Sequence, residues 1–236
     1  MLSTTSQADA DQVNQTPVDA RPKPPLPPLE NGDHLTRHEF ERRYEATPQL
    51  KKAELVEGIV YMPSPTHADN HALPHSTIMG LLFVYSAGNP GTKALNNPTL
   101  RLDQDNEVQP DAVLMRDPAH GGKAHISADD YLEGAPELIV EIAASSTSYD
   151  LHQKLNVYRR AGVQEYLVWQ VREQELHWWK LSEGLYVPLV ADEAGVLHSE
   201  VFPGLWLAAP QILAGDSQAA LEVLQQGIKA AKEPGD

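Results

Sequence analysis

The sequence contains no cysteine and no long hydrophobic run. The absence of cysteine excludes disulfide bonds and thiolate metal sites, and it is compatible with a reducing compartment. No window approaches the roughly 20 uninterrupted apolar residues that a membrane span needs. The N-terminus also lacks the basic and apolar regions of a secretory signal. We therefore predict a cytoplasmic protein that does not span a membrane.

Positive charge is also scarce, because 18 Lys and Arg residues accompany 33 Asp and Glu residues, giving a formal net charge of −15. Such a surface is poorly suited to non-specific DNA binding, which depends on neutralising phosphates. Basic side chains are concentrated between residues 37 and 52 and at Arg159 and Arg160. Any nucleic-acid function has to rely on these local clusters.

Composition divides the chain into a tail, a domain and a closing helix. Residues 1–33 are polar and then proline-rich, a composition that cannot bury a core and predicts disorder with a short polyproline II spacer. The apolar fraction of 41% in 236 residues supports one domain, which we place at residues 34–212. Residues 213–236 predict an amphipathic helix followed by a short tail.

Helical and strand patterns are mixed along the domain. A capping box at Thr36 and Glu39 predicts a first helix, and an alternating pattern around Gly58 predicts a hairpin over residues 54–62. Further helices are predicted at 74–87, 149–161 and 216–232, with a short helical turn near 127–132. Further strands are predicted around 95–102, 108–115, 137–143, 165–169, 176–180 and 185–189. This order predicts an α/β (α+β mixed) fold with a central mixed sheet flanked by helices.

Two carboxylates lie in apolar runs that are typical of buried strands. Asp111 precedes the run 112–115, and Glu141 lies within the apolar segment 138–142. An ionised carboxylate in such a setting costs several kcal/mol unless it is paired or holds a cation. Two of them on adjacent strands would repel each other, and a divalent metal is the common remedy. A metal-dependent enzyme is therefore one of two interpretations of this pattern.

A structural role explains the same local pattern. Asp111 after a proline can close a turn, and Glu141 can pair with Lys154 or Arg159. Asp150 and Lys154 also form an ordinary i,i+4 helix pair, which contributes a few tenths of a kcal/mol when exposed. Taken alone, the local pattern favours this structural interpretation.

Four segments in order resemble the Uma-type family of putative restriction endonucleases within the PD-(D/E)xK nuclease superfamily, over about residues 35–210. The segments are Glu54-Leu55-Val56-Glu57-Gly58, Gln109-Pro110-Asp111, Ala135-Pro136-Glu137-Leu138-Ile139-Val140-Glu141, and Ser146-Thr147-x-x-Asp150-x-x-x-Lys154 continuing through Glu165-Tyr166. A lone Pro-Asp pair has little specificity, whereas four segments in the right order make a specific signal.

The resemblance implies a restriction-endonuclease-like core that binds Mg²⁺, or Mn²⁺ as a substitute, and hydrolyses DNA phosphodiester bonds. It assigns Asp111, Glu141 and Glu54 as metal ligands and catalytic residues, and Glu54 matches the family's acid on the first strand. Glu57 takes a place more often filled by aspartate. Mg²⁺ suits this set because it prefers carboxylate oxygens and keeps several waters.

One position departs from the superfamily pattern, which has a lysine two residues after the second acid. That position is Ala143, and the resemblance implies that Lys154 on the following helix takes the role. If this substitution fails, the site binds metal without hydrolysing DNA. The alternative is therefore a catalytically inactive binding or regulatory protein with a nuclease fold. A more remote alternative is a two-carboxylate hydrolase that acts on another substrate.

Three histidines, His67, His71 and His75, recur at the four-residue spacing of a helical zinc site. Pro74 interrupts a single helix through them, so we predict surface histidines instead. The resemblance leaves His71 or His75 as a candidate for the cleft, since the family often has a histidine at the start of this helix.

We predict a homodimer. Pairing two acidic subunits about a two-fold axis would double their few phosphate contacts and match the symmetry of duplex DNA. Apolar side chains of the late strands offer a surface for it: Trp178, Trp179, Leu185 and Tyr186. Trp169, Trp178 and Trp179 could instead stack bases, although strand aromatics more often belong to a core or an interface.

Overall fold

The computed structural model describes residues 26–62, 71–144 and 149–233, in which helices cover two large sheets. The helices are α1 (Arg37–Glu45), α2 (Leu73–Gly88), α3 (Leu155–Ala161), α4 (Ala209–Leu213) and α5 (Ser217–Ala230). A π-helical segment, Tyr149–Lys154, leads directly into α3. None of the helices in the described ranges is long and apolar enough to cross a membrane.

Six strands form what we call the central sheet. They are β3 (Thr92–Asn96), β6 (Ala112–Arg116), β9 (Leu138–Ala143), β10 (Glu165–Gln170), β11 (Glu175–Ser182) and β12 (Leu185–Pro188). The spatial order is β12-β11-β10-β9-β6-β3, in which β9 and β10 are parallel and the other pairs are antiparallel. Both middle strands are buried along their whole length, which explains their nearly continuous apolar sequences.

Six shorter strands form the lateral sheet. They are β1 (Glu54–Val56), β2 (Ile59–Tyr61), β4 (Leu100–Arg101), β5 (Glu107–Val108), β7 (His125–Ile126) and β8 (Leu132–Glu133), in the order β2-β1-β5-β4-β8-β7. Strands β13 (Val196–His198) and β14 (Trp206–Ala208) form a separate pair. The mixed fold class is confirmed, and a second sheet accompanies the predicted one.

The central sheet has a different neighbour on each face. Leu138, Val140 and Ile142 of β9 share one core cluster with the apolar side chains of α2 and α5. Ile139 and Ala143 share the other cluster with α3 and the lateral sheet. Because side chains alternate along a strand, Glu141 faces this second side, between α3 and the lateral sheet.

Two of the predicted strands are each divided between the sheets. The segment 95–102 becomes β3 and β4, and the segment 108–115 becomes β5 and β6. The divisions coincide with Pro98 and Pro110, which have no backbone N–H to donate to a strand ladder. Asn97, before Pro98, has a positive φ of 47° that also ends the strand. The chain therefore changes sheet at each proline.

Other local predictions agree with the structure, with one exception. The Thr36 side chain accepts a hydrogen bond from the Glu39 amide and caps α1, as the capping box predicts. Gly162 ends α3 with a left-handed φ of 85°. The helical turn predicted near 127–132 is wrong, because residues 127–131 connect the antiparallel strands β7 and β8 and Leu132 begins β8.

The aromatic side chains of the late strands are partly structural. Trp169 and Trp178 are buried in the cluster under α2 and α5. Trp179 stacks on Tyr166 and on His177. Leu185 and the nearby Val187, on the outermost strand β12, are exposed.

The end of the proline-rich segment contributes to the core. Leu29 is 7% exposed and packs in a small cluster with Phe40 and Leu55. The amide of Gly32 donates a hydrogen bond to the Val60 carbonyl of β2. Residues 29–33 therefore pack on the domain, although they lie inside the predicted tail of residues 1–33.

We expect Leu29→Ala to lower the free energy of unfolding by about 2–3 kcal/mol, because it removes a buried leucine from this cluster. Urea unfolding followed by circular dichroism measures the change. Leu26→Ala is the matched control, since Leu26 is 37% exposed and should cost less than about 0.5 kcal/mol. Equal effects of the two substitutions would contradict the assignment of Leu29 to the core.

Candidate active site

Lys154 lies at the end of the π-helical segment, and it is 3% exposed although it carries a charge. π-Helical turns are rare and occur frequently at functional sites. Asp150, one turn earlier in the same segment, is also buried. The pair is therefore not the exposed i,i+4 pair that the sequence suggests. The residues before it, 145–148, lie outside the described part of the chain, and with them the Ser146-Thr147 part of the resemblance.

The Lys154 ammonium joins the two sheets. Its Nζ donates hydrogen bonds to Glu141 Oε1 at 2.9 Å and to Glu54 Oε1 at 3.0 Å. Glu141 lies on β9 of the central sheet, and Glu54 lies on β1 of the lateral sheet. Asp150 Oδ1 is 3.8 Å from the same nitrogen. These carboxylates raise the pKa of Lys154 well above its usual value despite its burial, which favours the protonated ammonium.

Glu141 is surrounded by more negative than positive charge. Its Oε1 also accepts a hydrogen bond of 2.8 Å from the Tyr158 hydroxyl. Burial raises the pKa of Glu141 to about 8; Lys154 opposes this shift, and neighbouring carboxylates, Asp150 foremost, add to it. A cation at this position would relieve the excess negative charge.

Asp111 immediately precedes β6 and is 4% exposed. Its Oδ2 accepts a 2.8 Å hydrogen bond from the backbone amide of Ile142, the residue after Glu141. Its Oδ1 is 3.2 Å from His71 Nε2 and 4.0 Å from Lys52 Nζ. Burial alone would raise the pKa of Asp111, but the contacts with His71, Lys52 and Ile142 lower it below its usual value. Asp111 is therefore an ionised acceptor.

The structure brings together all four predicted residues. Lys154 contacts Glu141 and Glu54 directly, and the Asp111 carboxylate bonds to β9 next to Glu141. Glu54 Oε1 also accepts a 2.7 Å hydrogen bond from the amide of Gln109, two residues before Asp111. Strands from both sheets thus place their acidic side chains against the same helix.

Glu57 lies outside this cluster. It occupies the hairpin turn between β1 and β2 with a positive φ of 53°, and its side chain pairs with Arg160 at the surface. The two described histidines reach Asp111 by different contacts: His71 contacts its carboxylate, and His75 Nε2 lies 2.8 Å from its backbone carbonyl. His67 lies outside the described residues.

Sequence reasoning gave no role in the site to two neighbours of the cluster, Tyr158 and Lys52, and treated Asp150 only as a helix partner of Lys154. Tyr158 follows Lys154 by four residues, so the helical repeat could have placed it on the same face. Lys52 was recognised only as part of a basic cluster. Its approach to Asp111 depends on the lateral sheet, which the sequence did not predict.

The donor chemistry of the cluster fits a divalent cation of the Mg²⁺ type. Such an ion is usually bound by one or two carboxylates and keeps several waters, and Asp111 and Glu141 supply two carboxylates. The raised pKa of Glu141 among other acids is the electrostatic condition that such an ion would relieve. Across the described ranges, no three His, Asp or Glu side chains are already arranged as a metal site. The fit therefore depends on the carboxylate pair and on waters.

Comparison with known proteins identifies relatives of the chain. A family model described as Uma2, putative restriction endonuclease, matches residues 37–210. A search of curated proteins gave no match. The crystal structure of a putative nuclease belonging to DUF820 from Anabaena variabilis superposes with a TM-score of 0.61 at 14% identity, covering 77% of this chain and 98% of that one. This likeness confirms the predicted fold.

Proposed function

Because the chain belongs to the Uma2 family of putative restriction endonucleases, we propose that it is a divalent-metal-dependent endonuclease that hydrolyses DNA phosphodiester bonds. One observation carries the proposal: Lys154 is buried, with its Nζ 2.9 Å from Glu141 Oε1, at the end of the π-helical segment that precedes α3. The lysine that the superfamily pattern requires is absent at Ala143. An ammonium group from another backbone position nevertheless contacts the second acid of the motif.

Asp111 and Glu141 would hold the cation, with Glu54 adjoining them. When bound, a divalent cation lowers the pKa of an attacking water and stabilises charge on the leaving oxygen. Asp111 contributes an ionised oxygen whose orientation is fixed by the Ile142 amide. The Tyr158 hydroxyl fixes one oxygen of Glu141 in the same way.

Lys154 supplies the positive charge for the phosphate. Its raised pKa keeps the ammonium protonated, so it remains a hydrogen-bond donor throughout the reaction. Donors that are positioned before the reaction stabilise developing charge without reorganisation, and this is often the largest catalytic contribution. Lys52 is partly exposed, and its Nζ lies 4.0 Å from Asp111 Oδ1. It adds a second positive charge beside the proposed metal ligand Asp111.

DNA as substrate follows from the family and has to be reconciled with the net charge of −15. Several of the basic side chains predicted to contact phosphates are paired with local acids: Arg42 and Arg43 with Glu39, and Arg160 with Glu57. A homodimer would double the remaining contacts. The homodimer stays a prediction, and so does the cytoplasmic location. Light scattering tests the dimer through a mass near twice 26.0 kDa.

Cleavage of a supercoiled plasmid tests the proposed activity. We expect nicked or linear product with Mg²⁺ or Mn²⁺ and none with EDTA. Asp111→Asn should lower the rate by at least about 100-fold, because it removes a charge that would hold the cation. Asp117→Asn is the matched control, since Asp117 follows the same strand and pairs with Lys93 on the surface.

The contact of Lys154 with Glu54 and Glu141 also supports the catalytically inactive alternative. The Lys154 ammonium already neutralises part of the charge of Glu54 and Glu141, which is a role that a purely structural lysine would have. A well-folded protein that cleaves no plasmid with either metal would support this binding or regulatory alternative and exclude the nuclease.

A further inference from the structure

The hydrogen-bonded pair of His71 and Asp111 has a spacing that two ligands of one ion would also have. His71 Nε2 is 3.2 Å from Asp111 Oδ1, and the side chains are 18% and 5% exposed. Protein nitrogen and oxygen ligands lie about 2.0–2.2 Å from a small divalent cation. Two such ligands at right angles are therefore about 3 Å apart. The imidazole nitrogen and the carboxylate oxygen already have this spacing.

The neighbouring histidine keeps His71 in this position. His75 Nε2 lies 2.8 Å from the Asp111 backbone carbonyl, to which it can only donate. This contact ties the start of α2 to the residue that carries the carboxylate. Since His75 directs its Nε2 at a carbonyl, His71 is the histidine whose ring nitrogen faces the side-chain oxygens.

Resting on the proposed metal site, we infer that metal binding draws His71 Nε2 in as a third protein ligand beside Asp111 and Glu141, and that the site prefers first-row transition ions such as Mn²⁺ to Mg²⁺. The metal-free described residues do not yet arrange this set around one point. Mg²⁺ is a hard cation that selects oxygen ligands, whereas imidazole suits transition metals. Asp111 and Glu141 alone would not distinguish the two ions strongly. The imidazole nitrogen of His71 is what makes the site prefer Mn²⁺ to Mg²⁺.

Pulsed electron paramagnetic resonance of the full chain loaded with Mn²⁺ tests the assignment directly. The wild type should show hyperfine coupling to an imidazole ¹⁴N, and His71→Ala should lose it. His125→Ala is the matched control, because His125 lies on edge strand β7, four strands from β1 in the lateral sheet, with its side chain 55% exposed. The wild-type spectrum decides even if a variant folds poorly.

Calorimetric titration with each metal alone gives a second measurement. His71→Ala should weaken Mn²⁺ binding at least about tenfold, since even outer-shell partners of metal ligands contribute 10–100-fold to affinity. The same substitution should change Mg²⁺ affinity much less. Mn²⁺ binding without nitrogen coupling, or equal losses for both ions, would overturn the inference while leaving the carboxylate site intact. Failure of the wild type to bind either ion would overturn the proposed function as well.

Discussion

Replacing Lys154 with methionine is expected to abolish DNA cleavage and to lower the free energy of unfolding by about 3–5 kcal/mol. The ammonium is buried and donates to Glu141 and Glu54, which are buried as well. Methionine has a similar length but no charge, so it leaves the buried side chains of Glu54 and Glu141 without the ammonium that donates to both. Removing one partner of a buried ion pair is costly because the remaining charge stays desolvated.

Plasmid cleavage and urea unfolding of this variant measure the two effects. Lys93→Met is the matched control, because Lys93 pairs with Asp117 on the surface and its side chain is 47% exposed. Such exposed pairs contribute about 0–1 kcal/mol, so the control should remain stable and active. Wild-type cleavage by the Lys154→Met protein would remove lysine from the proposed chemistry. Wild-type stability would contradict the buried ion pair.

The free energy of unfolding of the metal-free protein is expected to fall as the pH rises from about 4.5 to about 8. Burial among other acids raises the pKa of Glu141 from its usual 4.5 to about 8. Between these values the folded state binds a proton that the unfolded state has released, so folding is favoured at the lower pH. At 1.36 kcal/mol per pKa unit, moving this pKa from 4.5 to about 8 corresponds to up to about 5 kcal/mol.

A second carboxyl group titrates in the same window and has to be separated from the first. Burial and the neighbouring Glu41 raise the pKa of Glu107, on β5, to about 8. The lowered pKa of Asp111 acts in the opposite direction, because its stabilising effect is lost only as the pH falls through that lowered value.

Urea unfolding at about pH 5 and about pH 8 distinguishes these groups. Glu141→Gln should reduce the difference in stability between the two pH values, and Glu107→Gln should reduce it independently. The two losses should add, since the residues lie in different sheets. If Glu141→Gln left the pH dependence unchanged, the carboxyl group would have an ordinary pKa and the electrostatic account of the site would be wrong.

The parts of the fold that the sequence predicted are those with a local signal. The cap at Thr36 and the left-handed Gly162 depend on a few adjacent residues. Strand β9 is long and apolar enough to recognise without its partners. Apart from the β1–β2 hairpin, which alternates around Gly58, the lateral sheet lacked such a signal, because each of its other strands has only two residues. Its β7–β8 hairpin was consequently mistaken for a helical turn.

The residues of the candidate site likewise separate into those with a local sequence signal and those without one. Asp111 and Glu141 were found because a carboxylate within an apolar run can be recognised from the sequence alone. The contact between Lys154 and Glu54 joins residues 100 positions apart, and it depends on how the two sheets meet. The approach of His71 to Asp111 likewise depends on packing between α2 and β6. No periodicity in the sequence carries that information.

Calorimetric titration of the full chain with Mg²⁺ is the most direct test that Asp111 and Glu141 share one cation. The account predicts one binding event per chain, weakened severely by Asp111→Asn and by Glu141→Gln and unchanged by Asp117→Asn. Equal affinity in the wild type and in both site variants would contradict it.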